Sequence, residues 1–249
     1  MKRMILAMAL MGLLASGTAW AAEAEATLDL NSAYVWRGIT FNNGWVVQPG
    51  LDVTTGGFGI NVWGNFDLDD YNDTLDKNNF SEVDITLSYS FAIERLEIGV
   101  GLIEYLFPAG GAGTRELFVG LGLPLFGGLS AAWNFYYDVD EVHSYYTEVS
   151  LAYVMALMAG LEMEVGAKAG FAGKDFALAY SAAATDGGFY DYGFSLGLSY
   201  SVTDALNLGA AVHYVNTLDK DVLPRADIAN GIYGLDTEWV AGLTISYSF

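Results

Sequence analysis

Carboxylates recur at every second position along several apolar stretches of this chain. In residues 80–90, for example, Glu82 and Asp84 alternate with Val83 and Ile85. Such alternation places the acids on one face of a strand and the apolar residues on the other. The ionisable residues that we expect to line a polar interior are Arg37, Asp52, Glu82, Asp84, Glu97, Glu148, Glu162, Glu164 and Lys168. An interior path with more acids than bases would concentrate cations and disfavour anions.

Two histidines are the other residues whose types could do chemistry. His143 precedes Ser144 in a polar stretch, and His213 lies at an inward-facing position of the predicted strand 205–215. A hydrolase would need a nucleophile, a base and an orienting group that converge in space. The G-x-S-x-G pattern occurs at residues 193–197 (GFSLG), but it falls inside the predicted strand 190–200 and not at a strand-to-helix turn, so it does not form a nucleophile elbow. We therefore predict no catalytic residue and no cofactor, and the alternative is a hydrolase built on these histidines.

An acidic stretch at residues 67–79, DLDDYNDTLDKNN, contains five aspartates. Clustered oxygen ligands could hold calcium. The stretch lacks the glycine at position six and the glutamate at position twelve of the EF-hand loop. We interpret it as a solvated external loop and predict no metal site, with calcium binding as the open alternative.

The elements that must position these residues are short alternating stretches separated by turn-like segments. Twelve strands are predicted, at residues 26–37, 45–54, 58–67, 80–90, 96–105, 114–123, 129–138, 144–154, 161–170, 190–200, 205–215 and 236–249. The segments between them alternate between short and mostly longer, more polar ones. An even number of antiparallel strands with this rhythm is typical of a membrane β-barrel with short periplasmic turns and longer extracellular loops. An extra pair of strands within residues 171–189 would give fourteen instead.

The second face of each predicted strand is apolar and carries no charge near its middle. On the first strand this face comprises Leu28, Leu30, Tyr34 and Trp36, and on the fourth it includes Leu87. A basic residue at the middle of a bilayer would cost about 2–4 kcal/mol. The pattern therefore predicts an all-β, twelve-stranded antiparallel transmembrane barrel in the bacterial outer membrane, with lipid against its apolar face.

The carboxy-terminal strand has the same alternation, with Trp239 at one end and Tyr247 and Phe249 at the other. Aromatic residues at both ends suit the two membrane interfaces. A strand that ends on an exposed phenylalanine also resembles the segment by which such barrels are handed to the outer-membrane barrel assembly machinery. We expect that machinery to be a partner through Phe249.

The amino-terminal segment is predicted to be a secretory signal peptide covering residues 1–21, so that the barrel domain comprises residues 22–249. Lys2 and Arg3 precede an apolar run, and residues 19–21 read AWA, an A-x-A cleavage site. The chain has no cysteine, and its formal net charge is −20 with 10 basic residues. That charge balance argues against a nucleic-acid partner.

Residues 32–40 (SAYVWRGIT), followed by residues 48–52 (QPGLD), 57–58 (GF) and 62–65 (VWGN), resemble the start of the TorF-type porin family. The resemblance implies an outer-membrane barrel and supplies neither a substrate nor catalytic residues. Arg37 is the one residue that we transfer from the family pattern. We expect it to face inward beside the first external loop and to pair with a carboxylate.

The sequence as a whole predicts a porin-like channel that passes small neutral or cationic solutes by diffusion through an acidic lumen. The alternative from another class is a closed structural or adhesive barrel that acts through its loops. An outer-membrane hydrolase is a third and less favoured alternative.

Overall fold

The computed structural model describes residues 22–249, and the predicted signal peptide lies outside the described residues. Fourteen strands are present, of which twelve form a closed antiparallel barrel. The barrel strands are β1 (Glu23–Asn31), β4 (Val46–Thr55), β5 (Phe58–Asp67), β6 (Asn79–Ile93), β7 (Leu96–Leu106), β8 (Thr114–Pro124), β9 (Leu129–Asp138), β10 (Tyr145–Met158), β11 (Leu161–Ala172), β12 (Gly188–Ser201), β13 (Leu206–Asn216) and β14 (Trp239–Ser248). The remaining two strands, β2 (Tyr34–Trp36) and β3 (Ile39–Asn42), form a separate hairpin.

The first and last barrel strands close the ring. Strand β1 pairs with β4 on one side and with β14 on the other, where Leu28 lies opposite Ile245. Beyond the strand, the amide of Phe249 donates to the carbonyl of Ala24 at 2.9 Å. The closed ring leaves no unpaired barrel edge, which is what a sheet needs in a bilayer. The predicted twelve-stranded barrel is confirmed.

Short turns connect the strands at one end of the barrel and longer segments connect them at the other. Gly57 and Gly128 adopt φ of 88° at two of the short turns, a conformation that glycine reaches without a steric penalty. The start of β1 at Glu23 and the end of β14 at Ser248 lie at this short-turn end, which is the periplasmic end by the usual topology of such barrels.

Apolar side chains cover the outside of the barrel and alternate with interior ones. Leu28 and Leu30 on β1, Leu196 and Leu198 on β12, and Leu243 on β14 are all exposed. Because the ring is closed and its outer face is apolar, the protein is an integral barrel of the bacterial outer membrane. No helix among the described residues is long and apolar enough to cross a membrane.

The first predicted strand is wrong beyond Asn31. Residues 26–37 do not form one strand, because the chain leaves the wall and folds back as the β2–β3 hairpin. Tyr34 and Trp36, which we expected to face lipid, belong to this hairpin, and Tyr34 is only 7% exposed. The period-two pattern of β2 continues that of β1, so periodicity alone could not show that the strand ends.

The segment between β11 and β12 contains a short helix, α1 (Lys174–Tyr180), and no additional barrel strand. The alternative of fourteen barrel strands is therefore wrong. Phe176 and Ala177 on α1 are fully buried, so the helix packs inward over the barrel.

Buried apolar residues lie together at the extracellular end, in what we call the outer cluster. They come from the hairpin, from α1 and the segment after it, from four barrel strands and from the segment before β14. The cluster comprises Ile39, Tyr146, Ala172, Phe176, Ala177, Ala184, Tyr190, Val215, Val222, Leu223 and Leu235. The outer half of the barrel thus has a packed core of its own. No residue of the outer cluster lies in the described part of the barrel near the periplasmic end.

Candidate functional site: the barrel interior

The tip of the hairpin places Arg37 inside the barrel. Trp36 pairs with Ile39, which leaves a two-residue turn of Arg37 and Gly38 with φ of 47° and 79°. Positive φ at both turn residues is the geometry of the tight hairpin turn that matches the strand twist. Glycine adopts it readily, whereas an arginine there is held against its backbone preference. Interactions of the Arg37 side chain must offset that strain.

The guanidinium of Arg37 is buried, with 8% of the residue exposed. Its Nη1 and Nη2 donate to the two carboxylate oxygens of Glu116 on β8, each at 2.7 Å. The paired geometry makes this the strongest kind of hydrogen-bonded ion pair. Four aromatic rings also lie within cation–π range of the guanidinium carbon, at 4.2, 4.3, 4.7 and 5.5 Å, and belong to Trp36, Tyr136, Tyr146 and Phe176.

Other hairpin residues reach the remaining walls. The hydroxyl of Tyr34 donates to Glu82 on β6 at 2.9 Å, and its ring lies 5.6 Å from that of Trp63 on β5. The ring of Trp36 lies 6.0 Å from that of Tyr105 on β7. Together with the Arg37 contacts to β8, β9 and β10, the hairpin therefore spans the interior and touches six consecutive barrel strands.

Of the predicted lumen acids, two are covered by this hairpin. Glu82 is 6% exposed, and Asp84 lies next along the interior face of β6, where it pairs in register with Tyr105. Glu82 therefore helps to hold the hairpin in place through Tyr34, and Asp84 is half-buried beside it.

The second interior cation, Lys168, is also neutralised by acids. Its ammonium lies 2.9 Å from Glu148 on β10 and 3.3 Å from Asp191 on β12. Asp191 is fully buried and accepts a hydrogen bond from the hydroxyl of Tyr146 at 2.7 Å. A β-carbon on Gly170 would collide with both Asp191 and Tyr146, so this glycine makes room for the pair. Arg37 and Lys168 thus contribute no unpaired positive charge to the interior.

The periplasmic half of the interior is more open. Glu97, Glu162 and Glu164 are exposed on interior-facing positions, while Asp52 is half-buried and accepts from Asn61 at 2.9 Å. A chamber of about 450 Å³ lies between this region and the hairpin. Its lining includes Trp63, Glu148, Glu164, Lys168, Ser195 and His213. The sequence-predicted residues therefore fall into three groups: Arg37 and Glu82 hold the hairpin, Glu148 and Lys168 pair with each other in the wall of the chamber, and the acids nearer the periplasm face water.

The two histidines lie in different environments. His143 is in the segment before β10, where its carbonyl accepts from the hydroxyl of Tyr137 at 3.1 Å. His213 lines the chamber. His213 is the cross-strand partner of Ser195, but no hydrogen bond within residues 22–249 joins either imidazole to a serine, so the described residues show no assembled pair of nucleophile and base.

The acidic external segment is organised around one lysine. Lys77 lies 3.0 Å from Asp70 and 3.4 Å from Asp69, and its hydrogen bond lowers the pKa of Asp70. In the part of the chain that the structure describes, no group of three or more histidines, cysteines or acids is placed to hold a metal ion.

Two partners of the interior cations were not chosen from the sequence. Glu116 has the same parity as the chosen acids, which was the available signal, but nothing marked it as the partner of Arg37. Asp191 lies beside an irregularity in the β11–β12 pairing, between Ala169 and Phe171. Asp191 nevertheless has the same parity as the interior residues Gly193 and Ser195 of that strand, so the alternation of faces was the signal that could have found it.

A closed antiparallel barrel with a lipid-facing exterior and a charged interior defines the class of outer-membrane β-barrels. Outer-membrane porins and an outer-membrane channel are among the solved structures that are similar to this chain. The KdgM porin in complex with disordered oligogalacturonate has a TM-score of 0.56 and 10% identity, and the match covers 91% of this chain and 99% of that chain. The NanC porin has a TM-score of 0.56 and 10% identity, and the match covers 90% of this chain and 98% of that chain. The COG4313 outer membrane channel from Pseudomonas putida F1 has a TM-score of 0.52 and 10% identity, and the match covers 94% of this chain and 97% of that chain. At this identity the likeness shows a shared fold.

The chain belongs to the family described as "Bacterial protein of unknown function (Gcw_chp)", whose model matches residues 15–247. A search of curated proteins gave no match.

Proposed function

We propose that the protein is a porin-like channel for small neutral or cationic solutes, and that the β2–β3 hairpin closes its outer half in this structure. The observation that carries the proposal is the charge of the interior. Both interior cations are paired with acids, while Glu97, Glu162 and Glu164 remain exposed. A path lined in this way favours cations over anions.

Passage through the whole barrel requires the hairpin to move. The hairpin is joined to the wall at its base, through the hydrogen bond from the amide of Ser32 to the carbonyl of Ala241 at 2.8 Å. Farther along, it is held by a backbone hydrogen bond from the amide of Thr40 to the carbonyl of Gly234 at 2.9 Å and by side chains, chiefly Arg37 with Glu116 and Tyr34 with Glu82. Such side-chain contacts can open without breaking the barrel, so the hairpin has the properties of a gate.

Planar-bilayer recordings test the proposal. In a KCl gradient we expect a reversal potential that indicates cation preference. Replacing Glu97, Glu162 and Glu164 by glutamine should remove most of that preference. Asp204→Asn, in a periplasmic turn, is the control, because it removes an acid outside the lumen. Anion preference in the unaltered protein, or no conductance even after hairpin release by Arg37→Ala, would contradict the proposal.

The second candidate function is a closed barrel that acts through its external loops. The packed outer cluster favours it, since residues such as Ile39, Phe176 and Leu223 have no exposed surface. Liposome swelling separates the two functions. A sealed barrel gives no swelling with small neutral sugars, whereas a channel gives swelling that increases when the hairpin is released.

Export and membrane assembly are part of the same proposal. We propose that residues 1–21 are removed on export and that strand β14, ending at Phe249, is recognised by the barrel assembly machinery. Mass spectrometry of the mature protein tests the cleavage site. Phe249→Ala should lower the amount of assembled barrel in the outer membrane, and an unchanged amount would argue against that recognition. The TorF-type resemblance, whose motif includes Arg37, likewise supports the porin-like interpretation.

A further inference from the structure

The chamber beneath the hairpin has an uneven lining. On one wall, β10 to β13 present Glu148, Lys168, Ser195 and His213. On the opposite wall lies Trp63, whose ring also contacts Tyr34 of the hairpin. A volume of about 450 Å³ lies within the range of small-molecule sites.

The strand register explains why there is room beside Glu164. Across the wall, Glu164 pairs with Gly197, which pairs with Ala211, which pairs with Gly242. A β-carbon on Gly197 would meet nothing within 4 Å. Small residues therefore leave the carboxylate of Glu164 facing open space at the level of the chamber.

The next row toward the hairpin supplies uncharged polar groups. Gly166 pairs with Ser195, and Ser195 pairs with His213. Among residues 22–249, no protein group forms a hydrogen bond with the side chains of Glu164, Ser195 or His213. These groups are therefore available to a ligand.

The charges select the kind of ligand. Lys168 is already held by Glu148 and Asp191, so it offers little to an anion. Glu164 is an acid of the chamber that has no cation as a partner in a salt bridge, and it would bind an ammonium group. The hydroxyl, the imidazole and the indole ring of Trp63 suit the hydroxyl groups and flat faces of a small polyhydroxylated molecule.

We propose that this chamber is a binding site for a small polyhydroxylated amine, with Glu164 holding the ammonium group and Ser195 and His213 contacting hydroxyls. The site deepens the proposed function and rests on it, since it names the class of solute that would pause beneath the closed hairpin.

Calorimetric titration of the purified barrel in detergent tests the site, with glucosamine as the probe. Glucosamine should bind, N-acetylglucosamine should bind at least about tenfold more weakly because it lacks the charge, and glucuronate should give no detectable binding. Absence of glucosamine binding to the unaltered protein, or equal affinity for glucuronate, would overturn the proposal.

Three variants locate the binding. Glu164→Gln should weaken glucosamine binding by about tenfold or more. Gly197→Leu should abolish it by filling the space beside Glu164, and the open surroundings of Gly197 allow this variant to fold. Glu23→Gln is the matched control, because it removes an equal charge from β1 outside the chamber and should change the affinity by less than about twofold. An equal loss in the control would assign the effect to general electrostatics and overturn the site.

The two proposals fail separately. If the protein conducts cations but does not bind glucosamine, the chamber site is wrong and the channel stands. If glucosamine binds with the expected variant pattern but no conductance is found, the channel is wrong and the chamber is a binding site in a closed barrel.

Discussion

The outer and periplasmic halves of this barrel share one wall but have different interiors. In the outer half, interior-facing positions carry Tyr105, Tyr136 and Tyr146, and these pack on the inserted hairpin and α1. In the periplasmic half, the corresponding positions include glycines such as Gly197 and acids such as Glu164, which remain exposed. The same alternation of faces therefore produces a packed core at one end and a water-accessible lumen at the other.

The size of the side chains at interior positions therefore decides whether a given half of the barrel is filled. Aromatic rings from opposite walls reach far enough to meet an inserted segment, and their burial provides the main stabilisation. Glycine in a strand weakens it slightly, and here that cost leaves space. Charge is present in both halves, but it is paired in the outer half and partly unpaired in the other.

The largest expected effect comes from removing the cation at the hairpin tip. Arg37→Ala leaves Glu116 buried without its partner and should lower the free energy of unfolding by about 3–5 kcal/mol. It should also raise the bilayer conductance, because the hairpin loses its main attachment. Urea unfolding in lipid vesicles and single-channel recording measure the two effects.

Arg115→Ala is the matched control for that experiment. Arg115 also pairs with a glutamate, Glu104, but its side chain is 38% exposed on the opposite face of β8. Its loss should cost about 0–1 kcal/mol and leave the conductance unchanged. Equal effects of the two variants would mean that the outer half is not held together by its interior pair.

A smaller effect is expected at the base of the hairpin. Tyr34→Phe removes the hydroxyl that donates to Glu82 but keeps the ring against Trp63. Leaving the buried carboxyl of Glu82 without this donor should cost about 1–3 kcal/mol, measured by the same urea unfolding. A stability unchanged from the unaltered protein would show that Glu82 finds another partner when the hydroxyl is absent.

Alanine substitutions at two glycines, one in each half, test the difference in packing directly. Gly170→Ala places a methyl group against Asp191 and Tyr146 in the packed half and should cost about 1–3 kcal/mol. Gly197→Ala places the same methyl group in open space and should leave the stability nearly unchanged. If both variants are equally stable, the contrast in packing between the halves is not real.

The smallest effect is expected in the exposed segment above the barrel. Lys77→Ala should raise the pKa of Asp70 toward its ordinary value, because the lysine hydrogen bond lowers it. A lowered pKa contributes stability above the ordinary value of a free aspartate, and this contribution is lost as the pH falls through the pKa of the folded protein. An NMR titration of Asp70 measures the change, with Lys77→Arg as the control that keeps the charge.

The wall of the barrel could be predicted from the sequence because period-two alternation is a local property. Strand β5 was predicted with its observed bounds, and eleven of the twelve wall strands lie close to their predicted ranges. The prediction of the first strand is wrong beyond Asn31. There the chain leaves the wall for the β2–β3 hairpin but keeps the same alternation of residue types.

The interior was predictable only in part. The alternation of faces placed Arg37 in the interior, and a buried cation needs a carboxylate partner. Which carboxylate Arg37 meets depends on where the hairpin crosses the barrel, and in the structure it is Glu116. Asp191 has the parity of an interior residue, but its pairing with Lys168 is a contact between two strands, and the outer cluster depends on segments such as α1 that have no strand pattern. These are long-range contacts, and no short stretch of sequence encodes them.

The seam between β1 and β14 has a consequence for how such a protein can change its size. Counting around the ring, β1 and β13 run in the same direction. A chain that stopped before its final strand would bring two co-directional edges together, and they could not adopt the ladder that the other neighbours use. Truncation by a single strand would thus leave a split cylinder, and relatives that keep this all-antiparallel wall should differ from it by whole hairpins.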